Sequence, residues 1–176
     1  MGEAEQFISR VNDLYRFEAI QGHLGWDQET IMPAKGAEAR GETLAWLAGQ
    51  RHSRLIDDEL GDLISKLENQ DLEDYLAANV REMRRKYDEA VKLPTEFVSE
   101  FTKARSEALI AWQKARKESD FSIFAEHLEK MIELSFIDQL RLEQPLWLIL
   151  LLTLPLLSWL QKKIPNTYPS IKFSSL

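Results

Sequence analysis

Pro94-Thr95-Glu96-Phe97-Val98-Ser99-Glu100-Phe101-Thr102-Lys103-Ala104-Arg105-Ser106-Glu107-Ala108-Leu109-Ile110-Ala111-Trp112-Gln113-Lys114-Ala115-Arg116 places Phe97, Phe101, Ala104, Ala108, Trp112 and Ala115 three or four residues apart. That spacing predicts a helix with one apolar stripe, opened by Pro94 in its first turn. The aromatic members read as core rather than as a stacking surface. Upstream, Asp71 is placed to cap a helix whose face carries Leu72, Leu76, Val80, Met83, Tyr87 and Ala90 or Val91. Downstream, Asp120 caps a helix with Phe121, Phe124, Leu128, Met131 and Ser135 on one side. No stretch alternates with period two, so the body is all-α, and its short connections predict an antiparallel helical array.

Earlier segments fit the same scheme. Phe7, Val11, Leu14 and Tyr15 recur at helical spacing until Gly22 and Gly25 interrupt. A second helix runs from Ala37 to about Arg51 through Ala39, Thr43, Leu44 and Leu47, and Asp57 caps a short third one with Leu60, Leu63, Ile64 and Leu67. Arg81, Arg84, Arg85 and Lys86 interleave with Glu82, Asp88 and Glu89, which reads as a solvated face laced with ion pairs.

Charge divides the chain in two. It has 176 residues and a formal charge of −7. Every acidic residue lies at or before Glu143, so that part carries −10 and the final 33 residues carry +3. An acidic body argues against a nucleic-acid partner. With no cysteine and three histidines, disulfides, thiolate metal sites and thiol catalysis are excluded. His23, His52 and His127 are too scattered for the paired-histidine helix of a zinc peptidase. His23 and Asp27, four apart, do not complete a metal site, and the Asp57–Asp58 and Glu73–Asp74 pairs suit helix starts. The expected catalytic, metal and cofactor residues of this chain are therefore none.

Gly25-Trp26-Asp27-Gln28-Glu29-Thr30-Ile31-Met32-Pro33-Ala34-Lys35-Gly36-Ala37-Glu38-Ala39-Arg40 is the most particular stretch. Met32 before Pro33 is expected to be extended, and Gly36 to permit the turn into the next helix. Asp27 is placed to accept from the amides of Glu29 or Thr30, Trp26 to supply buried area, and Arg40 to close the turn by pairing with Asp27.

This stretch resembles the N-terminal signature of the carboxypeptidase Taq family, metal-dependent carboxypeptidases of the zincin type. The likeness continues through Leu44-Ala45-Trp46-Leu47-Ala48, His52, Asp58-Glu59-Leu60-Gly61, Leu93-Pro94, Ala111-Trp112-Gln113-Lys114-Ala115-Arg116, Ser119-Asp120-Phe121, Phe124 and His127-Leu128-Glu129-Lys130. It covers nearly all of 5–134, departing at Ala125-Glu126, where the family often has proline. The signature residues are Trp26, Asp27, Thr30, Pro33, Arg40, Trp112, Asp120 and Phe121, each expected to act structurally. The resemblance implies the N-terminal part of a longer, all-helical, cytoplasmic enzyme that removes C-terminal residues from peptides with a divalent metal. In that family the HExxH helix and the further ligand lie downstream of everything matched, so the chain alone is expected to be inactive.

The expected division is 1–135, the family-like helical region, and 136–176, an unrelated apolar tail. Residues 144–161 form an 18-residue uncharged run, the lower edge of a membrane-span candidate. Trp147, Trp159 and Lys162–Lys163 suit interfacial anchoring, and Pro155 interrupts the run. A shifted reading frame or gene-model error accounts for both the loss of acids and the loss of resemblance. Membrane association through 145–160, which would make the chain a membrane-tethered helical interaction module, and a buried core helix are the alternatives.

Overall fold

The computed structural model describes residues 2–141. Among them the chain is helical throughout: α1 (Glu3–Thr30), a 3₁₀ turn (Ala34–Gly36), α2 (Ala37–Leu55), α3 (Asp58–Leu67), α4 (Asp74–Ala90), α5 (Thr95–Glu118) and α6 (Ser122–Arg141). The membrane-span candidate at 145–160 and nearly all of the apolar tail lie outside the described residues. Of the described helices, none is long and apolar enough to cross a membrane. Helix α6 continues past Ser135 to Arg141.

Cross-helix contacts fix the antiparallel arrangement. Arg40 and Arg51 of α2 reach Asp27 and Glu18 of α1, so the two helices run in opposite senses. Arg10 meets Asp57 and Glu59, while Lys66 and Gln70 meet Glu3, which sets α3 antiparallel to the first half of α1. Arg84 of α4 binds Ser65 and Glu68 at the end of α3. Helix α5 does not lie along α4, its predecessor, but returns along α2: Gly41 faces Ser106, and Gly49 faces Ser99 and Thr95. Helix α6 packs chiefly on α5.

The main core gathers Phe7, Val11 and Leu14 of α1 with Leu55, Leu60, Ile64, Leu67, Val80, Met83 and Ala90. Asp57 caps α3 by accepting from the Glu59 amide at 2.8 Å. Leu60, Ile64 and Leu67 then fall on one fully buried stripe. The second layer, α2 on α5, is built from small residues: Gly41, Ala45, Ala48 and Gly49 against Ala104, Ser106, Ala108, Ala111 and Ala115 are all buried. Such side chains let two helices approach closely.

Several boundaries differ from the sequence expectation. Helix α1 runs through Gly22 and Gly25, because interior glycines cost about 1 kcal/mol each and the packed remainder of the helix outweighs that. Helix α2 extends past Arg51, since Leu55 is a core residue. Asp71 does not cap α4; residues 69 and 70 turn onto Lys66 and Leu67, and the helix begins only at Asp74. Pro94 sits at the cap of α5 rather than inside its first turn. The stripe on α5 is also reordered: its alanines are buried, Phe97 and Phe101 are half-buried, and Trp112 is 41% exposed. The alanines face α2, and that close approach leaves the bulkier rings at the margin.

The basic cluster on α4 is the predicted ion-pair face. Arg84 pairs with Glu68 and Asp88, Arg85 with Glu82 and Glu89, and Lys86 with Glu82.

Candidate functional site: two helix junctions flanking one groove

The first junction joins α1 to α2. Arg40 lies in the first turns of α2, and its Nη2 is 2.6 Å from Oδ2 of Asp27, with side chains only 17% and 29% exposed. Its Nη1 donates to the Leu24 carbonyl at 2.5 Å. One guanidinium thus binds a carboxylate and a carbonyl of the last turns of α1, where the helix dipole favours a cation. The predicted Asp27–Arg40 pair is present, but its surroundings differ from expectation. Asp27 is helical, with its carbonyl accepting from Ile31 and Met32 instead of its carboxylate accepting from Glu29 or Thr30. Thr30 donates back to the Trp26 carbonyl at 2.7 Å. Trp26 is 62% exposed and supplies little buried area to this fold. Pro33 is extended (φ −61°, ψ 141°) and its carbonyl accepts from Gly36, whose φ of −83° needs no glycine.

The second junction joins α5 to α6. Ser119 ends α5 in the left-handed conformation (φ 54°), and the Asp120 amide reaches back to the Ala115 carbonyl at 3.0 Å. This is the helix-ending arrangement that glycine usually serves. Asp120 Oδ1 accepts from the amide and the hydroxyl of Ser122, and these two bonds hold its carboxyl below the usual carboxylate range. Phe121 packs edge-on to Phe124, and the Arg116 guanidinium lies 5.1 Å from the Trp112 ring centre.

Between the two junctions runs an open groove of about 800 Å³. Glu18, Gln21, Gly22, Gly25 and Gln28 of α1 form one wall, and Phe101, Leu109, Trp112 of α5 and Phe124 of α6 form the other. On the α1 side, Gln28 Nε2 donates to Ser106 Oγ at 2.6 Å, both residues being buried. Sequence reasoning missed this wall, although a signal existed. Positions 7, 11, 14, 18, 21, 25 and 28 continue a single 4-3 stripe along α1. That stripe is apolar as far as Leu14, where it meets the core, and polar or glycine from Glu18, where the groove opens.

The structure thus gathers Trp26, Asp27, Thr30, Pro33 and Arg40 at one junction and Trp112, Asp120 and Phe121 at the other. Trp112 reaches the groove itself. Among the described residues, no three His, Asp or Glu side chains converge as metal ligands would. Two donors that the sequence singled out are already engaged. Asp27 Oδ2 is paired with Arg40, so the carboxylate of the His23–Asp27 pair already faces a cation. Both ring nitrogens of buried His52 are engaged, by Thr95 Oγ1 at 2.9 Å and the Ala90 carbonyl at 3.1 Å, and burial lowers its pKa.

The family model for the carboxypeptidase Taq (M32) metallopeptidases matches residues 6–142, which includes both junctions. The chain belongs to this family. It is 37% identical over 114 residues to thermostable carboxypeptidase 1 of Thermus thermophilus, covering 62% of this chain and 22% of that protein. It is 30% identical over 132 residues to thermostable carboxypeptidase 1 of Pyrococcus furiosus, covering 74% and 26%. The described helices superpose on the crystal structure of BsuCP with a TM-score of 0.77 at 25% identity, covering 80% of this chain and 29% of that one. For the M32 carboxypeptidase from Deinococcus radiodurans the TM-score is 0.61 at 34% identity, covering 79% and 28%. The chain therefore spans about a quarter of the length of its M32 relatives. The match also reaches past Ser135, where resemblance by motif stops.

Proposed function

We propose that this chain is the N-terminal, positioning segment of a metal-dependent carboxypeptidase and has no hydrolytic activity by itself. The observation that carries the reading is how the signature residues are used. Arg40 and Asp27 bind each other, and Asp120 binds Ser122, so these charges hold helix ends together and flank a groove. A divalent metal that polarises water, and a base that takes its proton, would have to come from residues beyond the described helices. What the helices contribute is a fixed wall for an enzyme whose substrates are peptides and whose setting, on the family resemblance, is cytoplasmic.

Purified chain supplied with zinc, cobalt or manganese is expected to release no C-terminal amino acid from a test peptide. Metal-dependent release would overturn the proposal. Mixing the chain with the rest of the Thermus thermophilus relative, the part following the matched segment, should raise that polypeptide's carboxypeptidase activity above its level alone.

A further inference from the structure

We infer that the groove between α1 and α5 binds an extended peptide segment of the pattern apolar-x-acidic-x-apolar, without any metal. The inference rests on the reading of this chain as part of a peptidase, and adds which peptides and which residues. The α1 wall is shaped for a backbone. Gly22 and Gly25 lie along the groove, and a Cβ at either would meet nothing within 4 Å. Glycines inside a helix cost about 1 kcal/mol each, and no neighbouring helix comes close enough to require these two. What they leave is room for another main chain to approach. Gln21 and Gln28 bracket that gap, two turns apart. Gln28 is only 6% exposed and donates one N–H to the Ser106 hydroxyl, itself on a residue 5% exposed. Its Oε1 meets no donor among the described residues. A buried carboxamide with an unmet acceptor calls for a donor. An extended chain offers its N–H groups, whereas a helix has already used its own.

The α5 wall sets the side chains. Phe101, Arg105 and Leu109 follow at one-turn intervals, about 6 Å apart, and Trp112 closes the row. An extended peptide presents every second side chain on one side, about 6.7 Å apart. Three alternate side chains therefore fall nearly in register with Phe101, Arg105 and Leu109. Arg105 is exposed and forms no ion pair or hydrogen bond among the described residues. Of the acids on the α1 wall, Glu18 is paired with Arg51, and Glu29 keeps an acidic side chain on the α5 side. From Glu18 to Gln28 the wall is about 15 Å long, which an extended segment of about five residues fills.

The test is calorimetric titration of the full 176-residue chain, without metal, with the peptide Phe-Ala-Glu-Ala-Leu, N-acetylated and C-terminally amidated. Saturable one-to-one binding is expected. Replacing the peptide's glutamate with glutamine, or Arg105→Gln in the protein, should each weaken it about tenfold. Arg105→Glu should reverse the preference, favouring Phe-Ala-Lys-Ala-Leu over the glutamate peptide. Gly25→Leu puts a side chain into the open gap and should abolish binding while the helical circular dichroism stays unchanged. Absence of saturable binding would overturn the inference, and so would equal affinity for the glutamate and glutamine peptides. Binding that survives Gly25→Leu would also sink it. A glutamine peptide that binds only with a free C-terminal carboxylate would refute it too, because Arg105 would then read a chain end instead of an internal acid. None of these readouts involves turnover, so a failure to bind leaves the lack of hydrolysis standing, and hydrolysis alongside binding overturns only the parent reading.

Discussion

Replacing Arg40 with methionine isolates the clamp between α1 and α2. The methionine keeps much of the apolar stem but removes two charge-assisted contacts, one to Asp27 at 2.6 Å and one to the Leu24 carbonyl at 2.5 Å. Exposed ion pairs contribute about 0–1 kcal/mol, but this pair is mostly shielded, at 17% and 29% exposure. The Asp27 carboxylate left behind lies at a helix C-terminus, where the dipole disfavours an anion. Hydrogen bonds to charged groups are worth about 1.5–3 kcal/mol, and water will recover part of that here. The expected loss is about 2 kcal/mol, which lowers the melting temperature by roughly 4–8 °C in a chain of this size. Urea unfolding followed by circular dichroism measures it. Asp27→Asn should cost less, because its partner can still bind Leu24. The double variant should fall short of additivity by about 1 kcal/mol. If Arg40→Met unfolds within about 0.5 kcal/mol of the parent, or the two changes simply add, the clamp does not hold the junction.

Three further outcomes follow from the geometry. His52 is held neutral by burial, so the unfolded chain binds its proton more readily than the folded one. Stability should therefore be full above the ordinary histidine value of about 6.5 and fall as pH drops below it, through the lowered value of the folded state. A flat urea midpoint from pH 7 to 5, or a slope unchanged by His52→Gln, would contradict this. Ser119→Gly relieves the left-handed residue that ends α5 and should stabilise by about 0.5–1 kcal/mol in thermal unfolding. Gly61→Ala should destabilise by about 1–3 kcal/mol, since the new Cβ would lie 2.6 Å from Oη and 2.8 Å from Cζ of Tyr87. An open helical site would instead gain about 1 kcal/mol from that change, so the sign of the measured shift decides.

The sequence by itself determined the helical class, the three-and-four stripes, the Asp57 cap, the ion-paired face of α4 and the Asp27–Arg40 pair. Each depends on residues close in the chain or on a charge placed beside a turn. Family membership was equally legible, because Gly25–Arg40 and Ser119–Lys130 are local strings. Only the tertiary structure decided that α5 returns along α2, since Gly41 and Gly49 match Ser106 and Ser99 across more than forty residues. That choice buried the alanines of α5 and turned Trp112 outward. It also set the polar half of the α1 stripe opposite an aromatic wall. A helix shows its own periodicity in sequence, but which neighbour covers each face depends on how closely two backbones can approach. The groove between the two junctions exists for that reason.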